Sequence, residues 1–123
     1  MTDIIKTKNY IKKLTSKIVP NDNTFNKIIK IKNLIIKAKK NNSRVLIFGN
    51  GGSAAIASHV SVDLTKNVKV KAMNFNEADL ITCFSNDYGY EKWIEKTIEF
   101  YGDKKDIIIL ISSSGKSKNM INA

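Results

Sequence analysis

Residues 44–59, RVLIFGNGGSAAIASH, change character twice within a short span. RVLIF is a brief, almost wholly apolar run, the pattern of a strand covered on both faces. It stops at Gly49-Asn50-Gly51-Gly52-Ser53, and SAAIASHVSVDL then places small and apolar residues at helical spacing. Ser53 stands where the N-cap of that helix is expected. His59, inside the helix, is the only histidine of the chain.

The pattern repeats downstream. VKVKAMNF, residues 68–75, alternates and predicts a second strand. Residues 77–101 predict helix in two pieces, broken at Asn86-Asp87-Tyr88-Gly89. DIIILISSS predicts a third buried strand, and GKSKNMINA begins another helix. Strands alternating with helices predict an α/β fold with a parallel, doubly wound sheet. Upstream, residues 2 to about 41 are helical in pattern, divided by Pro20 and Asn21-Asp22-Asn23. Ile28, Ile29, Ile31, Leu34, Ile35 and Ala38 form an apolar stripe that needs a partner, either the sheet or another subunit. The expected organisation is a helical pair over 1–42, used in packing or oligomerisation, followed by sheet-forming residues 43–123.

Composition excludes several classes. In 123 residues, 42% hydrophobic and 26% charged positions suit a soluble globular domain. No run approaches the roughly eighteen apolar residues of a membrane span, and lysine interrupts MTDIIKTKNYIKKL too often for a signal peptide. Cys83 has no second cysteine to pair with, so a reducing cytoplasm is expected. The net charge of +10 rests on scattered lysines, with Arg44 the only arginine. That is a poor basis for reading bases or phosphates bidentately, so nucleic acid is not an expected partner.

Open α/β sheets bind ligands at the carboxyl ends of their strands. The glycine loop lies there, and its backbone amides can approach an anion closely. Ser112-Ser113-Ser114-Gly115-Lys116-Ser117 follows the third strand in the same way, with hydroxyls added. Each loop alone also reads as a tight connection. Gly49-Asn50-Gly51-Gly52-Ser53-Ala54 fits the dinucleotide pattern G-x-G-x-x-G/A, but Asn74 and Asn76 end the second strand where a ribose-binding acid is wanted. LISSSGKS approaches a phosphate-binding P-loop, with Leu110 in place of its first glycine. Taken alone, His59 reads as a capped or buried structural histidine ahead of a ligand.

GNGGS before a helix, then NDYGYE, then ISSSGKS, resembles the sugar-isomerase (SIS) domain family. Within it the order is most similar to the phosphoheptose isomerases, which convert sedoheptulose 7-phosphate to an aldoheptose 7-phosphate. The resemblance implies a flavodoxin-like α/β/α fold, a homotetramer and a role in surface-polysaccharide synthesis. It puts substrate contacts at Asn50, Gly51, Gly52, Ser53, Asp63, Asn86, Asp87, Ser112, Ser113, Ser114 and Ser117, with the serines on the phosphate. It also implies zinc, with His59 and Asp63 as ligands one turn apart on a helix, and Asp63 as the base. Phosphoheptose isomerases typically carry glutamate where Asp63 stands. Their second half, with a further histidine and a glutamine ligand, has no counterpart here, so the expectation is a chain truncated after the serine loop. The alternative is a non-catalytic SIS protein, an adaptor or sugar-phosphate sensor, which needs the loops but no metal pair.

Overall fold

Valine and isoleucine fill the first apolar run, and their branched side chains favour extended backbone. In the computed structural model, which describes residues 2–123, that run forms β1, Arg44–Gly49. It is the middle strand of a three-stranded sheet of order β2-β1-β3, with β2 at Lys71–Asn74 and β3 at Ile107–Ile111. Both neighbours run parallel to β1, Val45 lying opposite Ala72 on one side and Ile107 on the other. The helices are α1 (Asp3–Ile18), α2 (Asp22–Lys40), α3 (Gly52–Asp63), α4 (Ala78–Tyr88), α5 (Trp93–Tyr101) and α6 (Lys118–Ile121).

Side chains alternate across β1, so both faces need cover. Leu46 and Phe48 pack with Phe75, Trp93, Ile94 and Met120, and Leu80, Ile81 and Phe84 of α4 close the margin. Phe48 stacks on Phe75 at 5.4 Å and meets the edge of Trp93 at 6.0 Å. Val45 and Ile47 pack on the other side with Ala57 of α3, Val70, and Ala38 near the end of α2. This is the expected parallel α/β architecture, with helices on both faces of the sheet.

Three local expectations need correction. β3 is half-buried, and Leu110 is 37% exposed because it joins neither apolar cluster, whereas Ile107, Ile108, Ile109 and Ile111 do. The alternation of VKVKAMNF yields a strand only from Lys71, since Leu64–Val68 makes a π-helical turn and Lys69 adopts a left-handed conformation, φ 59°. The break between α4 and α5 falls after Tyr88, at Gly89 with φ 89°, so Asn86 and Asp87 remain in the last turn of α4.

Pro20 separates α1 from α2, and the Asn21 side chain accepts a hydrogen bond from the Thr24 amide at 2.9 Å. The described residues form two compact units that divide within α2, between Asn33 and Leu34. The reason is packing: Ile35 and Ala38, in the later part of α2, join the core around Val45 and Ile47. In the first unit the apolar stripes stay in water. No described residue of α1 is buried, and Ile11, Leu14, Phe25, Ile28 and Ile31 are each about half exposed.

At the opposite end of the sheet from the loops, Arg44 binds Asp106. Asp106 Oδ1 accepts the Arg44 amide at 2.9 Å, and Oδ2 accepts Arg44 Nε at 3.0 Å, Nη2 at 2.6 Å and the Asp103 amide at 3.0 Å. The same Nη2 reaches Asp103 at 2.8 Å. Burial opposes ionisation of Asp106, but the Arg44 guanidinium and the two amides outweigh it and hold this carboxyl below the ordinary carboxylate range.

Candidate functional site

The strand register puts Gly49 opposite Ile111, so the glycine loop and the serine loop leave the sheet from adjacent strand ends. Gly49 is required by space: a Cβ there would lie 2.3 Å from the backbone carbonyl of Ser53. Gly51 is required by conformation, with φ 54° and ψ −121°. Gly51, not Ser53, is the N-cap of α3; Ser53 already lies within the helix, its amide donating to the Asn50 carbonyl at 3.0 Å. Gly51 and Gly52 are exposed, and the first amides of α3 have no partner further back in the helix.

Asn50 ties the loops together. Its Nδ2 donates to Asn119 Oδ1 at 3.0 Å, and Asn119 Nδ2 donates back to Asn50 Oδ1 at 2.9 Å. Tyr90, in the loop after α4, also donates its hydroxyl to Asn50 Oδ1 at 3.1 Å. In the serine loop, Ser112 Oγ accepts the Gly115 amide at 3.1 Å and Ser114 Oγ accepts the Lys116 amide at 3.2 Å. A hydroxyl that accepts internally still has its own proton to donate, so both serines keep a donor for an anion. Ser113 is exposed, and the Ser117 carbonyl accepts the Met120 and Ile121 amides at the start of α6.

Asn86 Nδ2 donates to Asp87 Oδ1 at 3.0 Å, and the Cys83 thiol lies 3.7 Å from Asp87 Oδ2. Desolvation and the Asp87 carboxylate push the Cys83 thiol up from its ordinary value. It is therefore protonated near neutral pH and a poor nucleophile.

His59 and Asp63 come together, Nε2 to Oδ2, at 3.5 Å on α3, and Asn67 Nδ2 donates to Asp63 Oδ1 at 3.3 Å. Among the described residues the histidine side chain is 80% exposed and the aspartate 52%. Among the described residues no hydrogen bond ties this pair to Asn50 or to the serine loop. Nor do three or more His, Cys, Asp or Glu side chains converge among them. The pair offers one nitrogen and one carboxylate donor, the right types for zinc, but a catalytic zinc centre takes three protein ligands. These two residues alone do not make one.

The dinucleotide reading loses its footing at β2. Asn74 Nδ2 donates to Ser61 Oγ at 3.0 Å, and Asn76 Nδ2 donates to Ser58 Oγ at 2.8 Å and to the Ala54 carbonyl at 2.9 Å. These amides stitch β2 and the residues after it to α3. Asn119 and Tyr90 were not expected from sequence. Tyr90 lies within the NDYGYE motif, whereas nothing local distinguishes Asn119.

The pattern of the family described as "SIS domain" matches residues 8–123, and the chain belongs to that family. A phosphoheptose isomerase of Helicobacter pylori (strain P12) is 38% identical over 96 residues, covering 73% of this chain and 50% of that protein. One from Sulfurimonas denitrificans is 34% identical over 130 residues, covering 94% of this chain and 66% of its own length. The solved structure of a phosphoheptose isomerase from Francisella tularensis superposes with a TM-score of 0.80 at 26% identity, covering all of this chain and 68% of that one. The Neisseria gonorrhoeae phosphoheptose isomerase gives 0.77 at 28% identity, covering 97% and 62%. The chain thus spans about half to two thirds of the length of these relatives. No helix among the described residues is long and apolar enough to cross a membrane.

Proposed function

We propose that the chain belongs to a sugar-phosphate isomerase that interconverts sedoheptulose 7-phosphate and an aldoheptose 7-phosphate, a precursor for surface polysaccharide. The observation that carries this reading is the pairing of Gly49 with Ile111, from which the two donor-rich loops emerge side by side. Ser112, Ser113, Ser114 and Ser117 take the phosphate. Asn50, Gly51, Gly52, Ser53, Asn86 and Asp87 take the sugar. The names of the relatives favour an enzyme over an adaptor or sensor.

Aldose–ketose isomerisation moves a proton between adjacent carbons through an enediol, which needs a base and donors for the developing oxyanion. Asp63, half exposed and acceptor-rich, is the base in this reading, and backbone and side-chain N–H groups of the glycine loop are the donors. Zinc enters through the family resemblance, with His59 and Asp63 as two of its ligands; when bound, it would polarise the sugar carbonyl. The exposed apolar stripes of α1 and α2 are the surfaces on which copies would meet in a cytoplasmic homotetramer, since burying each isoleucine is worth about 2 kcal/mol.

Calorimetry tests the phosphate assignment. The chain should bind sedoheptulose 7-phosphate well and sedoheptulose weakly. Ser112→Ala combined with Ser114→Ala removes two charge-assisted hydrogen bonds, which should weaken binding of the phosphorylated sugar on the order of 100-fold. Equal affinity for the sugar with and without its phosphate would contradict the reading.

A further inference from the structure

We infer that Asn119 is a positioning residue, which with Tyr90 fixes the Asn50 side chain as a hydrogen-bond donor toward the sugar. The inference rests on the sugar-phosphate reading above. An asparagine carbonyl oxygen has two lone pairs and its amide nitrogen two protons. Asn50 Oδ1 receives both Asn119 Nδ2 at 2.9 Å and the Tyr90 hydroxyl at 3.1 Å, which fills it. One proton of Asn50 Nδ2 goes to Asn119 Oδ1 at 3.0 Å. A single N–H is left, so Asn50 can meet a ligand only where the ligand offers an acceptor oxygen.

Burial divides the roles. Asn119 is 2% exposed, out of reach of a ligand, whereas Asn50 is only partly buried. A buried amide whose two side-chain hydrogen bonds both go to one partner holds that partner against rotation, and losing them would leave polar atoms unpaired. Because Asn119 belongs to α6 and Asn50 follows β1, the same pair also sets the spacing of the two loops. Tyr90 adds a third anchor from the turn between α4 and α5.

The test combines NMR of 15N-labelled side-chain amides with calorimetry on the 123-residue chain, using sedoheptulose 7-phosphate and inorganic phosphate as probes. In Asn119→Leu, the Asn50 side-chain amide should lose its exchange protection and shift to free-amide values. Affinity for sedoheptulose 7-phosphate should fall about tenfold, with inorganic phosphate binding unchanged. Tyr90→Phe removes a single hydroxyl from a side chain that is 54% exposed, so it keeps the fold even if Asn119→Leu does not. It should weaken the sugar phosphate about threefold and again spare inorganic phosphate. An Asn50 amide unmoved by Asn119→Leu would overturn the inference. So would an equal loss for both probes, which marks a purely structural role through α6. A wild-type chain that fails to distinguish sedoheptulose 7-phosphate from inorganic phosphate would overturn the underlying reading instead, before any variant is made.

Discussion

Arg44→Met should lower the unfolding free energy by about 3 kcal/mol at pH 7, because it leaves a buried carboxylate without its cation. The Asp106 side chain is 3% exposed, and Arg44 supplies three of the four hydrogen bonds described above, one of them from its backbone. Methionine keeps the aliphatic bulk and removes the guanidinium. The pH dependence follows from the depressed Asp106 carboxyl. A carboxyl with a folded pKa below its unfolded value of about 3.9 stabilises the fold fully above that value. That contribution is lost as pH falls through the lower folded pKa. In the variant the buried carboxylate favours protonation, so its deficit relative to wild type should be largest at neutral pH and shrink below about pH 4. Urea unfolding at pH 7 and pH 3 reads both values; a deficit that is the same at both would refute the ion-pair account.

The three glycines of the first loop should respond in three different ways. Gly49→Ala drives a methyl into the α3 backbone, where no side chain can yield, and should destabilise by about 3 kcal/mol, the upper end of overpacking costs. It also displaces Asn50 and should abolish sugar-phosphate binding. Gly51→Ala meets no atom within 4 Å and suffers only from its backbone conformation, worth about 2 kcal/mol. At Gly52 a Cβ meets nothing and φ is not positive, so alanine should leave stability unchanged or slightly raised. Its methyl would occupy the open space assigned to the sugar, so Gly52→Ala should still lose affinity. Thermal melts paired with calorimetry separate the three; a Gly52→Ala chain with full affinity would place the sugar elsewhere.

Much of this was legible in the sequence because the decisive features are local. A strand covered on both faces must be apolar throughout, and RVLIF is. A loop that bends backbone into close contact must contain glycine, and GNGGS does. The order of GNGGS, NDYGYE and ISSSGKS carried the family. What was not legible depends on partners far along the chain. DIIILISSS is apolar throughout, yet Leu110 joins neither apolar cluster, because cover for a strand face comes from elements distant in sequence. Asn119 sits in KNMI like any polar helix residue, and its partner Asn50 is 69 positions away. Asn74 and Asn76 read as a missing ribose contact, whereas their function is to hold α3. His59 is exposed because its face of α3 packs on nothing within the described residues, which periodicity alone does not reveal.

The central claim is that one sugar phosphate spans the glycine and serine loops. Backbone amide NMR of the 15N-labelled chain, titrated with sedoheptulose 7-phosphate, tests it most directly. The account predicts saturable shifts concentrated at Asn50–Ser53 and Ser112–Ser117, with inorganic phosphate moving the second group and sparing the first. Shifts confined to the other end of the sheet, around Asn42, Lys71 and Lys104, or no saturable shift at all, would contradict it.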